Sequence, residues 1–343
     1  MGRSLQLRIH GKGNAWPVPL GETHPYYDRS NTRELSNAAF SLHVMEGNDI
    51  FSSILVDAGH GTIQSLISGS NRIPDCICLT HGHMDHTLSV DWIVQSYWRK
   101  HDKKRPYPIY ATKPVYEFFI QSYPHLSDQV DFRILDFGKG ISLDHDASIK
   151  LTAYPAYHGQ GAYGASMLLF EPAGRKILFT GDLLTPLLRK VDYTALQDID
   201  LLVVDSNNRF PWPRTNHWSF AGDPDQHLGR SEVMVQYFAG ISWKQLMHPY
   251  KLSSLNPVSR DYFMQAGEEW SLPQQPLSIM EFLEKTNPRS VMPVHYSGAE
   301  DLKYHGKDIL APDELANWIF SVSRNAGLKS EYVFPDAGEL INI

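Results

Sequence analysis

The stretch CLTHGHMDHTLSV, residues 78–90, places His81, His83, Asp85 and His86 close together directly after an apolar run. Imidazole and carboxylate are the borderline ligands that zinc prefers, and iron or manganese accept the same set. A strand that ends near Thr80 leaves this polar cluster in the turn beyond a sheet edge. His81 and His83, two apart in extended chain, can then face one point, and a helix starting just after them turns Asp85 and His86 toward a second. Two cations about 3.5–4 Å apart can clamp both the attacking and the leaving oxygen of a hydrolytic displacement. The bland alternative is a polar turn with exposed histidines. It is weakened by further ligand types at other strand ends: AYHGQG offers His158, ILFTGD offers Asp182 and VMPVHYSG offers His295. A layered sheet would bring all of them to one edge.

The elements that must position these groups are legible as alternating apolar runs. Strands are predicted at 5–10, 39–45, within SSILVDAGHG and DCICLT, and at PIYAT, ILDF and SIKLTAYPA. Helices are predicted near 62–68, over LSVDWIVQSYWRK and over KPVYEFFIQSY. GASMLLFEPAGRKILFTGD reads as a hairpin and IDLLVVD as a buried strand. After residue 278 the order is helix LSIMEFLEKT, strand SVMPVHY, helix PDELANWIFSVSRNAG and strand EYVFPD. Strands that recur after helices predict an α/β layered fold in one domain, 1–343. The Trp-, Pro- and His-rich segment 206–278 reads as an insertion or lid.

The His-x-His-x-Asp-His pattern at 81–86, with its companions in this order, resembles the signature of the metallo-β-lactamase superfamily. The resemblance covers roughly 40–205 and 280–343, and it implies an αββα sandwich with the site at one edge of two facing sheets. It further implies that His81, His83 and His158 hold one metal, that Asp85, His86 and His295 hold the other, and that Asp182 bridges. Asp57, in ILVDAG, would orient the loop without binding metal. The cofactors implied are two divalent ions, zinc first, with manganese or iron as alternatives. For the last ligand His248, in KQLMHPYK, competes with His295. The helix–turn–strand unit before His295 favours the latter.

An aspartate at 182, where zinc β-lactamases carry a cysteine, argues against antibiotic hydrolysis. GKGNAWPVPLG and SILVDAGHGTIQSLI resemble segments of the tRNase Z-like phosphodiesterases. Where those proteins carry His-Glu-Ala-Thr, this chain reads VDSN, with Asp205 in place of the acid. A long arm rich in Gly and Lys is also missing, so a small phosphodiester such as a cyclic nucleotide is the expected substrate, attacked by metal-bound hydroxide. Lactone, thioester or amide hydrolysis is the alternative, and a non-catalytic ligand-binding protein is a third reading. Asp85 and His217 are the candidate catalytic groups, His217 as proton donor to the leaving oxygen. Arg209, Trp212, Arg214 and Trp218 of RFPWPRTNHWSF are candidates for substrate binding, or else that loop fills an apolar seam.

The formal net charge of −7 is read as weighing against a long nucleic acid as partner. A small phosphate-bearing substrate is the expected partner, and a homodimer is an expectation with no located interface. The basic run WRKHDKKRP, 98–106, reads as a solvated helix end. Cys76 and Cys78 are the only cysteines, and their spacing puts both on one face of a strand as small buried hydrophobes. With no long apolar run and no leader pattern, a cytoplasmic protein without a membrane segment is expected.

Overall fold

The computed structural model describes residues 3–17, 20–21, 30–158, 162, 164–183, 185–189, 191–206, 279–295 and 312–343. The predicted insertion lies outside them except for Ser206. So do His217, His248, Arg209, Trp212, Arg214 and Trp218.

Two mixed sheets face each other. The first part of the chain, to residue 135, supplies β1 (Ser4–Gly11), β2 (Ala39–Glu46), β3 (Asp49–Val56), β4 (Cys76–Cys78), β5 (Tyr107–Thr112) and β6 (Val130–Leu135). The second supplies β7 (Gly140–Leu143), β8 (Asp146–Tyr157), β9 (Ser166–Glu171), β10 (Ile177–Phe179), β11 (Thr185–Pro186), β12 (Leu201–Asp205), β13 (Ser290–Val294), β14 (Glu331–Tyr332) and β15 (Leu340–Asn342). The first sheet runs β15-β1-β2-β3-β4-β5-β6 and the second β11-β8-β9-β10-β12-β13-β14, with β7 beside β8. Within each sheet an antiparallel half leads into a parallel one: β3 through β6 are parallel, as are β10, β12, β13 and β14.

Period-2 alternation sorts the side chains into layers. Leu5, Leu7 and Ile9, Phe40, Leu42 and Val44, and Cys76 with Cys78 point between the sheets, where they meet Leu168, Phe170, Phe179, Val203 and Met292. The Phe170 and Phe179 rings meet edge to face at 5.7 Å, a contact worth about 0.5–1.5 kcal/mol beyond area burial. The opposite faces are covered by helices. Over the first sheet, α1 (Thr62–Ser68), α2 (Met84–Thr87), α3 (Val90–Lys100) and α4 (Lys113–Ser122) leave a core of Leu55, Ile77, Leu79, Ile109, Val94 and Phe119. Over the second, α5 (Asp192–Ala195), α6 (Ile279–Thr286) and α7 (Pro312–Asn325) accompany Leu169, Leu178, Leu202, Phe282 and Ile319. This is the expected αββα arrangement.

The differences from the sequence reading have local causes. Strand β6 begins at Val130, four residues before the predicted ILDF. As an edge strand it carries half-exposed Asp131, Phe132 and Arg133, so its apolar run does not mark its start. Strands β7 and β15 are short and largely exposed, and no apolar run announces them. Strand β13 stops at Val294 because His295 adopts a left-handed conformation, φ 61°, which turns the chain out of the sheet. No helix of the described residues is long and apolar enough to cross a membrane.

Candidate metal centre

Every candidate side chain among the described residues sits at or just beyond the C-terminal end of a strand. Asp57 follows β3, the 81–86 loop follows β4, and His158 follows β8. Asp182 comes three residues after β10, Asp205 ends β12 and His295 follows β13. Because these strands lie side by side in two facing sheets, their ends converge on one rim. That rim is the usual place for a site on strands that run parallel.

The side chains form two groups, His81 with His83 and His158, and Asp85 with His86, Asp182 and His295, within each of which the candidate ligand atoms lie within 4.8 Å of one another. His81 Nε2 is 3.1 Å from His83 Nδ1. Asp182 faces both groups. Its Oδ2 lies 3.9 Å from His81 Nε2, 3.7 Å from His158 Nε2 and 3.2 Å from His295 Nε2, and its Oδ1 lies 3.2 Å from His86 Nε2. Asp85 Oδ2 stands 3.4 Å from His86 Nε2 and 3.6 Å from His295 Nε2. Around one tetrahedral ion with bonds of about 2.0–2.2 Å, neighbouring ligand atoms stand about 3.3–3.6 Å apart. The buried His86 Nε2, near two carboxylates yet in hydrogen-bond geometry with neither, fits a ligand better than a donor. The residues present therefore suit two divalent ions with Asp182 between them.

A hydrogen-bonded frame fixes which nitrogen of His86 and of His81 faces inward. The carboxylate of Asp57 accepts from the Thr80 N–H at 2.8 Å, from the Thr80 hydroxyl at 2.7 Å and from His86 Nδ1 at 2.8 Å. His86 commits an Nδ1 proton to that bond, so Nε2 is the nitrogen it can offer to an ion. The Thr80 hydroxyl, its one proton given to Asp57, is left to accept from His81 Nδ1 at 3.1 Å, which directs His81 Nε2 inward. The Thr80 carbonyl accepts from the backbone N–H of Ser166 at 2.9 Å and so ties the loop to the second sheet. Asp57 itself has φ 57°, a conformation that aspartate tolerates better than most side chains.

Two further residues complete the frame. Asp205 is fully buried and accepts from the Leu183 N–H at 2.9 Å, and its other oxygen stands 3.6 Å from His295 Nδ1. It thus stands behind His295, farther away than Asp57 from His86, and it steadies the segment after Asp182. Sequence reading places an acid at this position without linking it to His295. Only the parallel pairing of β12 with β13 reveals that link. Gly59 lets the two loops touch: a Cβ there would lie 1.7 Å from the Asp85 carbonyl oxygen and 2.7 Å from the Asn37 Cβ. The N-terminal loop reaches the rim as well, where the Lys12 carbonyl accepts from the His295 N–H at 2.7 Å.

The electrostatics are those of a site that wants positive charge. Burial resists ionisation of Asp85, but His86 and His295 outweigh it and hold the carboxyl well below the usual range. For Asp182 burial is likewise overcome, by His295 and His86. Burial disfavours charge on His295, yet Asp182, Asp205 and Asp85 raise it to about 10. His86 is raised for the same reason, by Asp182, Asp85 and Asp57 against burial. His81 goes the other way, pushed down by burial and by the neighbouring His86. In the protein alone, protons on imidazoles balance the buried carboxylates. Divalent cations would displace them.

A family model described as a beta-lactamase superfamily domain matches residues 52–296. The chain belongs to the beta-lactamase superfamily. An "Endoribonuclease YSH1" of Yarrowia lipolytica is 26% identical in an alignment 152 residues long that covers 38% of this chain and 18% of that protein. The superfamily chain therefore spans less than a fifth of the length of that curated relative. Among solved structures, a diphosphatase of the PhnP family aligns over 99% of this chain and 98% of its own, with TM-score 0.60 and 14% identity. A long form RNase Z from yeast aligns over 99% of this chain and 42% of its own, with TM-score 0.53 and 12% identity. At such identities the likeness is one of fold.

These relatives correct one expectation. The reading against a long nucleic acid as partner rested on the net charge of −7 and on the missing arm rich in Gly and Lys, whereas the matched YSH1 proteins are named endoribonucleases. Net charge averages over the whole surface. Phosphate affinity depends on the local field at the site, which bound cations dominate.

Proposed function

We propose that this chain is a dinuclear metal-dependent hydrolase of phosphoester bonds, with an RNA phosphodiester as its foremost substrate. The observation that carries the reading is the placement of Asp182 between two sets of imidazoles at metal-ligand spacing. The YSH1 relatives favour RNA over the cyclic nucleotide that the sequence alone suggested. His81, His83 and His158 would hold one ion, Asp85, His86 and His295 the other, and Asp182 both. When bound, two such ions supply Lewis acidity, lowering the pKa of a water and neutralising charge on phosphoryl oxygens.

The chain's own contribution is positional. Asp57 and Thr80 turn Nε2 of His86 and of His81 inward, and the Asp205 carboxylate faces Nδ1 of His295 at 3.6 Å. We assign acceptance of a proton at the rim to the carboxylate of Asp85, which is partly open to solvent. The Thr80–Ser166 link keeps the two sheets' contributions in register, and a displacement of even an ångström can cost orders of magnitude in rate.

The test is turnover of a 5′-labelled single-stranded RNA and of bis(p-nitrophenyl) phosphate by the zinc- or manganese-loaded chain, with a cyclic nucleotide and a lactone in parallel. Phosphoester cleavage that disappears on chelation and in His83→Ala supports the proposal. Lactone turnover without phosphoester turnover refutes it in favour of acyl hydrolysis, and tight ligand binding without any turnover favours a binding protein.

A further inference from the structure

At the opposite end of the first sheet lies a second concave site, a cleft of about 750 Å³. Strand β4 separates it from the metal centre. Asp75 precedes that strand on the cleft side and His81 follows it on the other, roughly 20 Å of extended chain away. The volume is that of a small-ligand site. The starts of β5 and β6, the turn between β7 and β8 and the C-terminal end of α3 form its walls.

Its lining is basic in an acidic protein. The three carboxylates present are already engaged by arginines: Arg72 reaches Asp75 at 2.9 Å, and Arg133 holds Asp131 at 2.8 Å and Asp144 at 2.7 Å. Lys100, Lys104 and Arg105 line the same space and pair with no carboxylate among the described residues. Lys100 is in the last turn of α3, where the helix dipole already attracts it. Lys104 and Arg105, beyond the helix, are the charges most available to a ligand.

The basic run at 98–106, exposed from Asp102 to Pro106 as a solvated helix end is, also borders this cleft. After α3 the chain is turned by Asp102 and Lys103, both left-handed with φ 52° and 59°, and the turn carries the following cations to the concave wall. Flat surfaces lie beside them. The rings of Tyr97 and His101 lie 4.2 Å apart, tilted by 44° to each other, and Pro106 and Pro108 add apolar faces. Cations for phosphate next to flat faces for a base are the two elements of nucleotide binding.

We propose that this cleft binds a nucleotide through Lys104 and Arg105, whether the nucleotide is free or a unit of an RNA strand. The site is independent of the metal centre and does not require the proposed activity. The test is calorimetric titration of the full chain with ADP, with pyrophosphate and with a 5′-phosphorylated RNA octamer, repeated on Lys104→Glu/Arg105→Glu and on the metal-site variant Asp85→Asn. The expected result is binding that falls at least tenfold in the charge-reversed variant, persists in Asp85→Asn and is weaker for pyrophosphate. Thermal melting of each variant confirms that it is folded, and both reversed residues are exposed. Binding of ADP identifies a free nucleotide as sufficient, and binding of the octamer alone identifies the strand. No binding by either, equal affinity in the charge-reversed variant, loss only in Asp85→Asn, or equal affinity for pyrophosphate and ADP would each overturn the proposal.

Discussion

Replacing Asp57 by Asn keeps the size of the side chain and its tolerance of the left-handed backbone, so the change is confined to hydrogen bonding. The carboxylate accepts three bonds, from the Thr80 N–H, the Thr80 hydroxyl and His86 Nδ1, all within 2.7–2.8 Å and all buried. An amide can accept on one side only. With its oxygen toward the Thr80 N–H, its NH2 confronts the His86 Nδ1–H. The relief available to His86 is to move its proton to Nε2, the atom that faces Asp85 and Asp182. Losing a buried bond to a charged acceptor costs about 1.5–3 kcal/mol of stability in the metal-free chain. Displacing a ligand's orienting partner costs 10- to 100-fold in metal affinity, about 1.4–2.7 kcal/mol. Denaturant unfolding with a chelator present measures the first, and competition with a chromophoric chelator for zinc measures the second. A zinc affinity within twofold of the parent's, with stability lowered by less than about 0.5 kcal/mol, refutes the claim that Asp57 sets the His86 tautomer.

Three further outcomes are expected. Asp205→Asn should weaken zinc binding about tenfold while leaving the fold intact, because its Leu183 bond survives on the amide oxygen; a melting scan beside the zinc competition checks both halves. Gly59→Ala must push the Asp85 backbone aside, at a cost of about 1–3 kcal/mol. Its metal content should fall from two ions toward one. Finally, His10 is pushed down to about 3 and His43 to about 4, chiefly by burial with the charge of Arg8 adding to it, from an ordinary value of 6.5. Below pH 6.5 the unfolded chain therefore binds protons that the folded chain refuses, and stability falls as pH drops toward 4 by up to about 1.4 kcal/mol per unit for each group. Urea unfolding at pH 7, 6 and 5 should show that slope, and His10→Gln should flatten it.

The fold and most of the candidate site were legible because the candidate ligands come after apolar runs that must be buried strands, and a strand's end is where a polar residue can leave the sheet. His81, Asp182 and His295 are all of this kind. The legibility failed where position depends on pairing. Asp205 and His295 are ninety residues apart, and only adjacent strands bring them together. Edge strands β7 and β15 bury too little to leave a pattern. The run at 98–106 reads as solvated and is exposed from Asp102 to Pro106, but sequence shows its charge and not the concave wall beside it. The charge of −7 misled about partners because a whole-chain average says little about one rim.

The central claim is that seven side chains from both sheets hold two divalent ions. Elemental analysis of the full chain, saturated with zinc and passed through a desalting column, tests it most directly. The account predicts two ions per chain, with a marked loss in Asp182→Asn, whose carboxylate faces both sets of ligands. Fewer than one ion per chain, or a content unchanged by that substitution, would contradict it.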